Sequence, residues 1–221
     1  MHNVLKSTKT NFAKNLIKGI VGNLPILGIL SVSVVDTIQE YNLSLLFKQI
    51  EHKLSLVYST DNMDALISDL TKSTAFNDMM RHAVLKTIQC YNENQVKNIS
   101  TIIVETMQGS IPENMAIEFN NVLFELSEIE AVFFTVLYKH FQEETIEKYG
   151  YEYISKVLKE DEDMKIFRNQ QDLEGLCVFL CKKLDGKGLI KENTGAFFGN
   201  QGDSYHITSF GISLIKTLKP L

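Results

Sequence analysis

The stretch that decides the fold is Leu173–Leu218, LEGLCVFLCKKLDGKGLIKENTGAFFGNQGDSYHITSFGISLIKTL. Its first part repeats apolar residues at offsets of three and four. Leu173, Leu176, Cys177, Leu180 and Leu184 therefore share one helical face, and Asp185, Gly186 and Gly188 stop the helix. The short apolar pair Leu189 and Ile190 follows, then a polar, glycine-rich loop over Lys191–Asp203, the strand-like Tyr205–Ile207, and a last helix capped by Thr208 or Ser209. The order is helix, strand, loop, strand, helix, so this end of the chain is α+β.

Upstream, the pattern is helical throughout. Leu43, Leu46, Phe47, Ile50, Leu54 and Val57 fall on one face of a long helix, with Lys48, Gln49, Glu51 and Lys53 on the other. Asp61 or Asn62 is positioned to cap the next segment, which carries Met63, Leu66, Ile67 and Leu70. Phe76, Met79, Met80, Ala83 and Val84 open a third helix. Val96, Ile99, Ile102, Ile103 and Met107 mark a fourth, ended by Gly109, Ser110 and Pro112. The methionines sit on the same stripes as Phe and Ile and read as core filler. A further helix carries Met115, Phe119, Val122, Leu123 and Leu126. Ser127, followed three residues later by Glu130, then matches a capping box ahead of Ile129, Val132, Phe133, Val136 and Leu137. A domain boundary near Leu126 divides the chain into a basic, apolar segment 1–35, a helical bundle 36–126 and an α+β domain 127–221.

The first segment stands apart. Met1–Val35 carries Lys6, Lys9, Lys14 and Lys18 and no acid, and closes on the charge-free GIVGNLPILGILSVSVV, Gly19–Val35. Crossing the hydrocarbon core takes about 20 apolar residues, and this run has 17 with Asn23 and Pro25 inside it. As a signal peptide it lacks a convincing small-residue cleavage site. The third reading, which the short apolar length favours, is an apolar helical hairpin broken at Pro25, which either packs into the protein core or lies on a membrane surface. Its candidate membrane or partner contacts are Lys14, Lys18, Ile20, Leu24, Ile26, Leu27, Ile29 and Leu30. Lysines near anionic lipid contribute about 1 kcal/mol each.

Charge and composition bound the function classes. The 221 residues are 44% hydrophobic and 22% charged, enough apolar material for a core, with net charge -5. Eight acids lie in Glu143–Asp163, which reads as a solvated helix pair and loop. A global attraction to nucleic acid does not follow from that balance. Cys90, Cys177 and Cys181 are too few for a disulfide framework and point to a reducing, cytoplasmic setting, peripheral at the inner face of the membrane if the start is lipid-facing. Cys177 and Cys181 have a spacing that could offer two thiolates to a metal, yet they lie in an apolar helical stretch and read as buried thiols. His2, His52, His82, His140 and His206 are scattered, and no phosphate loop is present. Gly199 and Gly202 read as a loop tip rather than a nucleotide cradle. No catalytic residue, metal site, cofactor or small-molecule substrate is inferred, whereas a protein partner or a homo-oligomer is expected.

A resemblance emerges from these residues. LCKKLDGKGLI, Leu180–Ile190, and YHITSFGISLIKTL, Tyr205–Leu218, resemble the recognition helix with first wing strand, and the closing strand with final helix, of bacterial winged-helix domains. With the hydrophobic start, VKNISTIIVETM at Val96–Met107 and FNNVLFELSEIEAVFFTVLY at Phe119–Tyr138, the layout resembles uncharacterised bacterial helical proteins related to the abortive-infection alpha family. The resemblance covers most of the chain and rests on apolar patterns. It implies a winged-helix-like end and a role in phage defence or in a mobile element, and it carries over no catalytic residues.

Two functions follow as expectations. In the first, a non-enzymatic defence or mobile-element protein acts through membrane or protein contacts of its apolar start, with the winged helix as a sensing or interaction module. In the second, a cytosolic DNA-binding regulator uses Lys182, Lys183, Lys187 and Lys191 as a phosphate-binding edge. Arg81 and Arg168 are its sole arginines and Asp172 and Glu174 lie near the start of the reading helix, both of which weigh against base recognition. Phe197 and Phe198, beside the loop tip, are a candidate partner surface.

Overall fold

The computed structural model describes residues 37–90, 92–140, 154, 159–162, 173–193 and 204–218. The apolar start, including Lys14, Lys18, Ile20, Leu24, Ile26, Leu27, Ile29 and Leu30, lies outside the described residues, as do Phe197 and Phe198. Among the described residues the chain is mainly helical. Its elements are α1 (Thr37–Ser55), α2 (Thr60–Leu70), α3 (Thr74–Ile88), α4 (Glu93–Met107), α5 (Glu113–Glu125), α6 (Glu128–His140), α7 (Leu173–Gly186), β1 (Ile190–Asn193), β2 (Ser204–Ile207) and α8 (Ser209–Thr217). They form two compact units that divide between Glu125 and Leu126. No helix among them is long and apolar enough to cross a membrane.

In the first unit, α1 packs against α3 and α4, and α5 packs against the same two helices. The core is built from the apolar stripes. Leu46, Ile50 and Leu54 of α1, Phe76, Met79 and Met80 of α3, Ile102 and Ile103 of α4 and Phe119 of α5 are all buried. Each such side chain contributes about 1.5–3 kcal/mol on leaving water. The helix ends are set locally. Ser73 accepts from the Phe76 amide and Asn92 from the Gln95 amide, satisfying donors that the first turn leaves open. Gly109 takes φ +76° and closes α4.

Two expectations need correction here. Val57 does not extend the α1 stripe: the helix stops at Ser55, the amides of Val57 and Tyr58 turn back onto the Leu54 carbonyl, and Val57 is 61% exposed. The next helix starts at Thr60 with Ser59 at the cap position, one turn or less ahead of the expected Asp61 or Asn62.

The second unit joins α6, α7, a two-stranded sheet and α8. The capping box forms as read: Glu130 accepts from the Ser127 amide at 2.7 Å, and the Ser127 hydroxyl accepts from the Glu130 amide at 3.3 Å. Strands β1 and β2 pair antiparallel, with Ile190 opposite Ile207 and Lys191 opposite His206. Helix α7 packs on α6 and β1, and α8 on α6. Thr208 ties the parts together. Its hydroxyl caps α8 by accepting from the Gly211 amide at 2.9 Å and donates to the Gly188 carbonyl at 2.6 Å, while its own amide donates to the Leu189 carbonyl.

Candidate interaction face

Helix α7 is two-sided. Cys177, Leu180, Cys181 and Leu184 are wholly buried, whereas Gly175, Phe179, Lys182, Lys183 and Gly186 are all exposed. The exposed five are separated by four, three, one and three residues, so they form one continuous stripe on the side opposite the core. That stripe contains no acid. Phe179 is 55% exposed, and the Lys183 ammonium lies 5.5 Å from its ring centroid. Such a pair is worth about 0.5–1 kcal/mol at an exposed site, too little to explain a phenylalanine in water. At the far end of the stripe, Gly186 has open space where a Cβ would stand.

The four lysines expected at this edge are placed by the end of α7 and the start of β1. Lys182, Lys183 and Lys191 are exposed and Lys187 is half-buried. Asp185 interrupts their charge in sequence, but its carboxylate turns back to accept from the Glu192 amide at 3.2 Å. The face is thus a hydrophobic centre flanked by cations, a surface chemically suited to an anionic or amphipathic partner.

Cys177 and Cys181 stand on the other side of the same helix, both outside any disulfide and without exposure. Burial is the largest cause pushing the Cys181 thiol far above its ordinary range, with Cys177 and Glu192 adding to it. A thiolate, the form that binds metal, is disfavoured there. Among the described residues no cluster of three or more His, Cys, Asp or Glu could hold a metal ion.

One polar constellation was not visible in the sequence. Asp161, expected as a solvated acid, is 5% exposed, and its Oδ2 receives Lys139 Nζ at 3.1 Å and His140 Nε2 at 2.8 Å. The partners are more than twenty residues apart, so no local spacing announces them. An imidazole oriented by a carboxylate is one half of a general-base arrangement. Among the described residues no nucleophilic side chain hydrogen-bonds to His140, and the group works as a tie between the end of α6 and the acidic segment.

Comparison of the chain with models of protein families, with curated proteins and with solved structures finds no match.

Proposed function

We propose that this chain is a non-enzymatic phage-defence or mobile-element protein that acts by contact. Its basic, apolar start engages a membrane surface or a protein partner through Lys14, Lys18, Ile20, Leu24, Ile26, Leu27, Ile29 and Leu30, and its C-terminal unit, winged-helix-like in the order of its elements, is the sensing or interaction module. The observation that carries the contact reading is the acid-free α7 stripe centred on Phe179. A large exposed aromatic beside cations, on a helix whose other side is fully buried, is the kind of patch that partners cover. The membrane arm is tested by flotation of the full chain with anionic vesicles. The wild type floats and Ile29→Asp stays in the soluble fraction while folded; unchanged partitioning removes lipid and leaves a protein partner.

Lys182, Lys183, Lys187 and Lys191 favour a second reading, a cytosolic winged-helix DNA-binding transcriptional regulator that is dimeric through its helical body. Duplex DNA is then retarded by the wild type, not by the Lys182→Glu, Lys183→Glu double variant, and the binding weakens steeply with salt. Absence of retardation by the wild type at low salt contradicts it.

A further inference from the structure

Among the described residues of the second unit, one large apolar side chain stands exposed, Phe179 at 55%. Lys182 and Lys183 follow it by three and four residues, so they stand one turn further along α7, on either side of the line through the ring. Leu176, three residues before Phe179, is half-buried and widens the apolar centre, and Lys191 at β1 is exposed as well. From Gly175 to Glu192 none of the exposed residues is an acid. The two carboxylates nearest in sequence are engaged elsewhere. Asp185 accepts from the Glu192 amide, and Glu192 lies close enough to Cys181, on the inner side of α7, to act on its thiol.

Four kinds of occupant meet this chemistry differently. A second copy docking its own stripe in an isologous contact would set lysine against lysine. A lipid surface takes up helices whose whole apolar side faces outward, whereas the apolar side of α7, with Cys177, Leu180, Cys181 and Leu184, is buried in the unit. Duplex DNA would suit the lysines, but the exposed stripe offers no Arg, Asn or Gln to a base edge and sets a phenyl ring at its centre. A protein segment with an apolar side chain flanked by carboxylates meets both demands, because it covers the ring and pairs the ammonium groups.

We propose that the outer stripe of α7 docks an acidic amphipathic helix of a protein partner, with an apolar residue of that helix on Phe179 and its carboxylates on Lys182 and Lys183. This rests on the contact reading above and gives the partner of the C-terminal unit its chemistry. The Lys183 ammonium, 5.5 Å from the Phe179 ring centroid in the free protein, moves to a carboxylate on docking, and the ring exchanges a weak cation contact for apolar cover. One helical turn separates the ring from the lysines. The partner helix therefore carries its acids three or four residues from its apolar anchor.

The test selects peptides from a random displayed library on the immobilised full chain. The expected sequences combine acids with apolar residues at helical spacing. In the fluorescence anisotropy of one such labelled peptide, Phe179→Ser weakens binding roughly thirtyfold, as for an interface anchor. The Lys182→Glu, Lys183→Glu double variant abolishes binding, and added salt weakens it. Slow thiol labelling of Cys177 and Cys181 in each variant checks that α7 is still packed. Selected peptides without acids, peptides that bind Phe179→Ser as tightly as the wild type, or no selected peptide at all overturn the proposal. So does binding of duplex DNA or anionic vesicles that is lost in Phe179→Ser, since the ring then serves another class of partner. Ile29→Asp retains the peptide binding of the wild type, so failure of the start to engage a membrane leaves this result standing. Absence of peptide binding in a chain that still floats with vesicles overturns the α7 proposal alone.

Discussion

Gly211 lies so close to Leu189 that a Cβ at position 211 would stand 2.3 Å from the Leu189 carbonyl oxygen and 3.1 Å from the Phe134 ring. The obstacle is backbone, and the same carbonyl already accepts from the Thr208 amide, so it cannot swing away without breaking that bond at the start of α8. Alanine in place of a helical glycine ordinarily gains about 1 kcal/mol. Overpacking against a fixed neighbour costs about 1–3 kcal/mol. Gly211→Ala therefore destabilises the second unit, and hydrogen exchange of the β1 and β2 amides, which α8 helps to hold, accelerates.

Sequence made much of this unit legible. The stripe of α7, the stop at Gly186 and Gly188, the pair of short strands and the Thr208 cap all follow from local spacing and turn chemistry, and so does the Ser127–Glu130 box. What escaped was long-range. Nothing local says that α1 breaks before Val57, because the residue is apolar at the right offset and only the turn that follows takes it out of the core. Asp161 meets Lys139 and His140 from more than twenty residues away. Asn120 reads as one polar residue among the apolar positions of α5, and only the packing of α3 beside it reveals that its amide is sealed from solvent. The site was half-legible: the lysines were visible by type, while the exposure of Phe179 on their stripe depended on which side of α7 meets β1.

Asn42 is buried at 4% exposure, and its Nδ2 donates to the Cys90 carbonyl at 2.9 Å and to the Thr87 carbonyl at 3.4 Å, closing the end of α3 from α1. Asn42→Leu removes that donor and leaves buried carbonyls without it, a loss of about 1–3 kcal/mol. Urea unfolding of the first unit should show a lower midpoint with little change in slope.

His82 gives the first unit a pH dependence. Burial, and next the nearby Lys86, hold its pKa below the ordinary value against the opposing pull of Asn121 and Glu118. The unfolded chain then binds more protons than the folded one as pH falls below about 6.5. The stability tied to the neutral imidazole is complete above that pH and is lost as acidification approaches the folded pKa. Thermal midpoints measured between neutral and mildly acid pH decline, and the decline is shallower in His82→Gln.

Thiol reactivity reports both cores. Burial pushes Cys90 up to about 11, and Cys177 and Cys181 are sealed on the inner face of α7. In native protein at mildly alkaline pH the three cysteines react slowly with an aromatic disulfide reagent, and all three react promptly in denaturant. Fast labelling of Cys177 or Cys181 in native protein would contradict the packing of α7.

The claim that the protein defends its host by contact is tested most directly by phage plating on bacteria that express the full chain, Ile29→Asp or Phe179→Ser, with the accumulation and folding of each variant checked in parallel. The expected result is reduced plating of at least one phage by the wild type and loss of that protection in both variants. Protection undiminished by either substitution, or no protection by the wild type against any phage tried, would contradict it.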